Sequence, residues 1–265
     1  MPDLHIEQLR ILHLPPLSFS LRGGEITVLS GPSGCGKSLL LRAIVDLDRH
    51  GGEVRLGGQR REAMSAPAWR RLVGLLPAES HWWRNTAAEH LPAAVDLPLR
   101  IMGRAEPPQK MNVCSPRSFP TAKDGGSVGV AWSTHRPPPN PLPRGGGANE
   151  RFATFTVKAL GLPAEALGWQ ISRLSTGERQ RLALLRLLAM GPSALLLDEP
   201  TANLDADNGL RVERLIRAYA DEHQAPVLWV SHDAAQRQRI ADRQLCLEPD
   251  GIRNGAGGLE PDRGG

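Results

Sequence analysis

Eight consecutive residues, Gly31-Pro32-Ser33-Gly34-Cys35-Gly36-Lys37-Ser38, match the spacing G-x-x-x-x-G-K-[ST] in full. These types suit one chemistry, the holding of polyphosphate. The glycines let backbone N–H groups curl toward phosphate oxygens, and a helix starting near Lys37 adds its positive end. Lys37 is expected to reach the β- and γ-phosphates, and the Ser38 hydroxyl to ligate Mg²⁺. Gly31, Ser33, Gly34, Cys35, Gly36 and, in the first helical turn, Leu39 complete the expected cradle. The bland alternative is a glycine-rich turn with a surface lysine. An apolar strand before the motif and a helical pattern after it argue against that reading.

A second candidate is Ala194-Leu195-Leu196-Leu197-Asp198-Glu199. An acid at the carboxyl end of a buried strand lies where open α/β sheets bind ligands. Asp198 is expected in the Mg²⁺ shell, with Glu199 polarising an attacking water. Alone, such a strand is commonplace; beside a phosphate loop it is a candidate metal and water site. A third element, Leu174-Ser175-Thr176-Gly177-Glu178-Arg179-Gln180-Arg181, contains a capping box in Ser175 and Glu178. A helix N-terminus of this kind is also an anion site.

The elements that must position these groups alternate. Glu25–Ser30 reads as a short apolar strand, and Ser38–Leu47 as a helix with Leu40, Ala43, Ile44 and Leu47 at helical spacing. Gly52–Leu56, Val73–Leu76, Ala194–Leu197, Pro226–Ser231 and Gln244–Leu247 read as strands. Ala206–Glu222 and Asp233–Ile240 read as helices. Alternation of this kind predicts an α/β fold, a parallel sheet with helices on its faces.

The order of the motifs carries a resemblance. The Leu174–Arg181 stretch, standing shortly before the Asp198-Glu199 strand, resembles the signature motif of the ATP-binding cassette (ABC) family. Thr201-Ala202-Asn203-Leu204-Asp205 resembles the loop by which that family's subunits sense one another, with Asp205 as its acid. Val230-Ser231-His232-Asp233 resembles its switch segment, with His232 toward the γ-phosphate. The resemblance implies a P-loop NTPase cassette with three parts. They are a mainly parallel central sheet, an N-terminal antiparallel β subdomain, and a helical signature subdomain at about residues 79–190. It implies an ATP hydrolase using ATP and Mg²⁺, with Glu199 and His232 catalytic. It also implies a homodimer in which Ser175, Gly177 and Glu178 of one chain face ATP held by the other. A membrane permease on a separate polypeptide is the implied partner, placing the chain in the cytoplasm against the inner face of the cell membrane. The stretches Ser18–Ser38 and Val227–Asp233 resemble bacterial iron-export ATPases, which implies a metal ion such as iron as cargo. A soluble assembly ATPase and a non-hydrolysing nucleotide-binding regulator are the alternatives.

The sequence departs from the family pattern in several places. Thr176 stands where glycine is usual and Glu178 where glutamine is usual. Leu75-Leu76-Pro77-Ala78-Glu79-Ser80 puts Ala78 where a glutamine normally reaches Mg²⁺ and water. The stretch Leu9–Leu14 offers Ile11 and His13 but no aromatic face for adenine, a loss of about 1–3 kcal/mol by the measure of base stacking. Trp82 and Trp83 have two open readings, an interface anchor or lobe core.

Composition narrows the remaining classes. From Arg100 to Arg151 there are eight Lys/Arg and three Asp/Glu, a surplus of five against a whole-chain charge of +4. The body is therefore nearly neutral, which argues against a nucleic-acid partner. Residues of about 104–150 are rich in proline and glycine and are expected to be a disordered insert within a single domain spanning 1–249. The tail 250–265 is expected to be loose. Cys35, Cys114 and Cys246 form no CxxC pair and read as reduced thiols. The N-terminus lacks a basic-then-apolar pattern, and no apolar stretch reaches membrane-spanning length.

Overall fold

The computed structural model describes residues 2–11, 14–91 and 157–255. The expected insert at 104–150 lies outside them, as do His13 of the stretch Leu9–Leu14 and residues 256–265.

Two sheets form. Strands β1 (Leu4–Arg10), β2 (Leu17–Leu21), β4 (Gly51–Leu56) and β5 (Gln59–Arg60) make an antiparallel sheet in the order β2-β1-β4-β5. This is the N-terminal β subdomain that the resemblance implied. Strands β3 (Ile26–Ser30), β6 (Val73–Leu76), β7 (Ala194–Asp198), β8 (Val227–Val230), β9 (Arg243–Glu248) and β10 (Gly251–Asn254) make the second sheet. Its order is β10-β9-β3-β8-β7-β6, parallel except for the β10 edge.

The expected loose tail is corrected here over Gly251–Asn254, which pairs antiparallel with Glu248–Leu245. Its local cue was weak, since β10 is an edge strand held by backbone bonds rather than by an apolar run.

Helices α1 (Lys37–Ile44), α2 (Ala66–Leu72), α3 (Thr176–Leu188), α4 (Ala206–His223) and α5 (Ala234–Ile240) cover the sheet. Helix α1 stops short of the expected Leu47. Asp46 turns left-handed at φ 59°, and the Leu47 N–H closes on the Arg42 carbonyl at 2.9 Å.

Alternation along the buried strands divides the core into two layers. Leu29, Leu196, Leu228 and Val230 pack with Leu40, Leu41, Ala43 and Ile44 of α1 and with the antiparallel sheet. Val28, Leu195, Leu197, Val227 and Trp229 pack on the other face, with α3 and α4. A strand points successive side chains to opposite faces, so α1 and α3 lie on opposite sides of one sheet. Because both faces are covered, these strands are apolar almost throughout, which is why they are short continuous runs in the sequence.

Among the described residues no helix is long and apolar enough to cross a membrane.

Candidate functional site

Strand β3 delivers the chain into the turn Gly31–Gly36 at the carboxyl edge of the sheet. Gly31 sits at φ 146°, and a Cβ there would collide with the Leu247 carbonyl of β9, so only glycine fits. Gly36 is the left-handed N-cap of α1 at φ 99°.

Helices α2 to α5 are each capped by a side chain: Ser65 for α2, Ser175 for α3, Asp205 for α4 and Asp233 for α5. Helix α1 has no side-chain cap and no acid in its first turn. Its first backbone N–H groups therefore stay available to an anion, and the helix dipole favours one.

Lys37 is buried to 7% exposure and donates to the carbonyls of Gly31 at 3.0 Å and Pro32 at 2.8 Å. Its ammonium is thus held over the loop rather than in solvent. The Ser38 hydroxyl donates to Asp198 Oδ2 at 2.6 Å, which brings the start of α1 to the end of β7.

These two oxygens fit Mg²⁺, which takes one or two carboxylate-type ligands and completes its shell with water and substrate phosphates. No cluster of three or more His, Cys, Asp or Glu that could hold a metal occurs among the described residues.

Glu199 follows directly and adopts φ 49°, a left-handed conformation that is uncommon for a residue with a Cβ. Its N–H donates to the Val230 carbonyl at 3.2 Å, and its own carbonyl accepts from Ala202 at 3.2 Å. The turn aims Oε1 at His232 Nε2, 3.0 Å away. Both side chains are partly open to solvent, so a water molecule has access to the pair.

The capping box at α3 forms as expected. Ser175 Oγ accepts from the Glu178 N–H at 3.2 Å, while Glu178 Oε2 accepts from the Ser175 N–H at 2.9 Å. Glu178 replaces the usual glutamine without loss of this cap, since a carboxylate accepts the same bond.

Gly177 faces the loop after Glu199. A Cβ there would lie 2.8 Å from the Asn203 carbonyl oxygen and 3.1 Å from Leu204 Cδ2. Gly177→Ala must displace backbone, at about 1–3 kcal/mol for overpacking, while the helix regains about 1 kcal/mol of propensity. A net destabilisation of about 1 kcal/mol is expected in a denaturant melt. An unchanged midpoint would show that the Asn203–Leu204 loop yields freely.

Asp205 caps α4 and accepts from the Asn208 N–H at 2.8 Å and the Asn208 amide at 2.7 Å. The Asn208 backbone bond, then its side-chain bond, hold the Asp205 carboxyl below the usual carboxylate range. Asn208 Oδ1 also accepts from Arg181 at 2.9 Å, and Arg181 reaches the Leu160 carbonyl at 2.7 Å. Burial lowers the Arg181 pKa, and the same burial makes these bonds necessary. Helix α3 is thereby locked to the start of α4.

The departures also take physical form. Ala78 and Glu79 line a cavity of about 540 Å³ whose wall also includes Ser38, Asp198, Leu187 and Met190. The loop carrying them is tied to α3, with Ser80 Oγ donating to Gln180 at 3.3 Å and Arg186 to the His81 carbonyl at 3.0 Å. The two tryptophans differ in burial, and only Trp82 matches the lobe-core reading. Trp82 packs against the core, and Trp83 is 71% exposed. Arg186 lies 4.6 Å from the Trp82 ring centre and 5.1 Å from that of Trp83. At the end of the stretch Leu9–Leu14, Leu14 lies beside the phosphate loop, with Cδ1 3.0 Å from where a Cβ on Gly36 would stand.

Sequence reasoning gave no structural role to Arg181 or Asn208, nor to the polar group that buried Gln236 and Glu213 form with Thr201. Glu213 carried a usable signal, because it interrupts the apolar face of α4 beside Val212 and Ile216.

Comparison with known proteins agrees with this geometry. The family model for ABC transporter matches residues 14–202. The chain is 29% identical over 234 residues to the probable iron export ATP-binding protein FetA of Escherichia coli (strain K12), covering 88% of this chain and 83% of the relative. It is 30% identical over 240 residues to the phosphate import ATP-binding protein PstB of Aeropyrum pernix, covering 88% and 80%. A sulfate/thiosulfate import ATP-binding protein CysA 1 of Chromobacterium violaceum is 32% identical, and the chain spans 54% of its length. A solved ATP binding subunit of an ABC transporter superposes with a TM-score of 0.66 at 18% identity, covering 95% of this chain and 89% of that one. With its phosphate loop, acidic strand end and capped signature helix falling inside the matched span, the chain belongs to the ABC transporter family and is an ATPase of the ATP-binding cassette type.

Proposed function

We propose that the chain binds MgATP at the start of α1, closes on a second copy around two nucleotides, and hydrolyses them to drive a membrane permease made of other polypeptides. The observation that carries this reading is the contact of Ser38 Oγ with Asp198 Oδ2, 2.6 Å, at the foot of α1, whose N-cap makes no side-chain bond.

The roles follow from position. Backbone N–H groups of Gly31 and of Ser33 through Leu39 hold phosphate oxygens, and Lys37 adds a charge-assisted bond. Ser38 and Asp198 hold Mg²⁺, which when bound neutralises developing charge on the phosphates. Glu199 accepts the proton of the attacking water, and His232 orients that carboxylate and meets the γ-phosphate.

Ser175, Gly177 and Glu178 start a helix on the opposite face of the sheet from α1. That placement supports their use against the nucleotide of a second copy, with Asp205 near the shared boundary. Residues 1–254 then act as one cassette, with about 79–190 as its helical lobe. The permease holds the chain at the inner face of the membrane.

For cargo, we propose a metal ion such as iron, on the strength of the export relative. The phosphate and sulfate relatives supply the competing outcomes. The test uses the full chain. MgATP should convert it from monomer to dimer in sedimentation, and the purified complex with its permease, in vesicles, should move iron upon MgATP addition. Hydrolysis without a dimer would overturn the composite site. Phosphate or sulfate movement without iron movement would overturn the cargo.

A further inference from the structure

The Glu199–His232 pair is assembled from two loops that share no backbone. Glu199 leads into the turn that contains Thr201, and His232 follows Ser231 at the end of β8. Their 3.0 Å separation depends on how those loops are placed relative to each other.

One side chain bonds to both. Gln236, 5% exposed in the first turn of α5, accepts from Ser231 Oγ at 2.7 Å through its carbonyl. Its amide nitrogen donates to Thr201 Oγ1 at 2.8 Å and to Glu213 Oε1 at 2.8 Å. Both amide hydrogens are thus used, so the side chain cannot turn over without losing bonds.

Each contact is anchored further. Ser231 Oγ accepts from the Asp233 N–H at 3.1 Å, which fixes the backbone on both sides of His232. Arg237 donates to the His232 carbonyl at 2.9 Å. Glu213, 6% exposed on α4, is gripped by Arg239 at 2.8 and 2.7 Å. A buried carboxylate with its charge paired and its oxygens bonded is a rigid reference point. A cavity of about 340 Å³ is lined by Glu199 and His232 together with Thr201, Ser231 and Gln236. The positioning amide and the reacting pair therefore border the same space.

We propose that Gln236 is a positioning residue for hydrolysis: its amide registers the Thr201 turn against the Ser231–His232 turn and so sets the geometry of Glu199 and His232. The inference rests on the catalytic reading of that pair. Gln236 itself touches neither reacting group, and the phosphate cradle of α1 is built from other elements. Its loss should therefore appear in kcat and not in KM for ATP. Misplacement by about 1 Å of groups that position a reaction costs roughly 10²-fold, and a loss of roughly 10- to 100-fold in kcat is expected here.

The decisive variant is Gln236→Glu. The introduced carboxyl still accepts from Ser231 but faces Glu213 Oε1, where the amide donated. The charged groups around it are Glu213 and Arg239, then Asp233, Arg237, and the Glu199–His232 pair across the cavity. Protonation of the introduced carboxyl restores one donor, so kcat of this variant should recover as pH is lowered from 8 to 6 relative to the parent protein. Adding Glu213→Gln to Gln236→Glu exchanges donor and acceptor and should restore kcat at pH 8.

Phosphate release from the full chain with MgATP, with thermal melts confirming folded protein, measures all of these. Reduced kcat at unchanged KM, with recovery by acid and by the double exchange, supports the assignment. An unchanged kcat in Gln236→Glu overturns it, as does a loss that neither acid nor the exchange repairs. Glu199→Gln run in parallel separates the two readings. Loss of turnover there beside a fully active Gln236→Glu removes this inference alone, whereas full activity of Glu199→Gln removes the catalytic reading of the pair.

Discussion

Glu199→Gln is expected to lower phosphate release on the order of 10²–10⁴-fold while MgATP stays bound, the range for removing a general base. The substitution keeps the shape of the side chain and its hydrogen-bonding reach, so the left-handed turn at φ 49° and the contact with His232 can persist. What disappears is a carboxylate able to take the proton of an attacking water. Binding should survive because the phosphate cradle is built from Gly31–Leu39, with Lys37 held by the Gly31 and Pro32 carbonyls, and none of these bonds involves Glu199. Trapped nucleotide should then hold two copies together, so sedimentation with MgATP is expected to show more dimer than in the parent protein. A Glu199→Gln enzyme that hydrolyses at the parent rate would show that another group takes the proton.

Lys37→Ala should act on the other half of the cycle. Lys37 is nearly fully buried, and its ammonium sits among carbonyls of the loop that a phosphate must approach. Charge-assisted hydrogen bonds are worth about 1.5–3 kcal/mol each, so losing one raises Kd for MgATP about 10- to 150-fold. The fold should remain, because α1 is secured by Leu40, Leu41, Ala43 and Ile44 on its buried face and not by Lys37. Calorimetry with MgATP and a thermal melt check the two halves. An unchanged Kd would remove the phosphate assignment, and a collapsed melt would show Lys37 to be structural.

What the sequence determined by itself was local. The phosphate loop was legible because glycines with φ beyond the usual range and a lysine at the helix start are demanded by backbone geometry within a few residues. The Ser175–Glu178 capping box and the buried strands at Ala194–Asp198 and Val227–Val230 were legible for the same reason. A cap spans three residues, and a strand covered on both faces must be continuously apolar. Short-range rules of this kind need no knowledge of what packs against the element.

The tertiary structure alone decided which of these elements meet. Ser38 and Asp198 are 160 residues apart in the chain and touch because β3, β8 and β7 are neighbours in register. Gln236 spans three separate elements, and nothing in its immediate sequence separates it from Gln238 in the same short helix. Trp82 and Trp83, identical in type and adjacent in sequence, part into packed and exposed roles by the direction of one turn. Strand β10 exists because β9 offers it an edge, not because Gly251–Asn254 is a strong strand former. In a parallel sheet, partners are chosen by register and by which face each residue lands on, and a slip of one residue would exchange the two faces. Such choices are made by the whole packed core at once, so they are written in no single stretch of sequence.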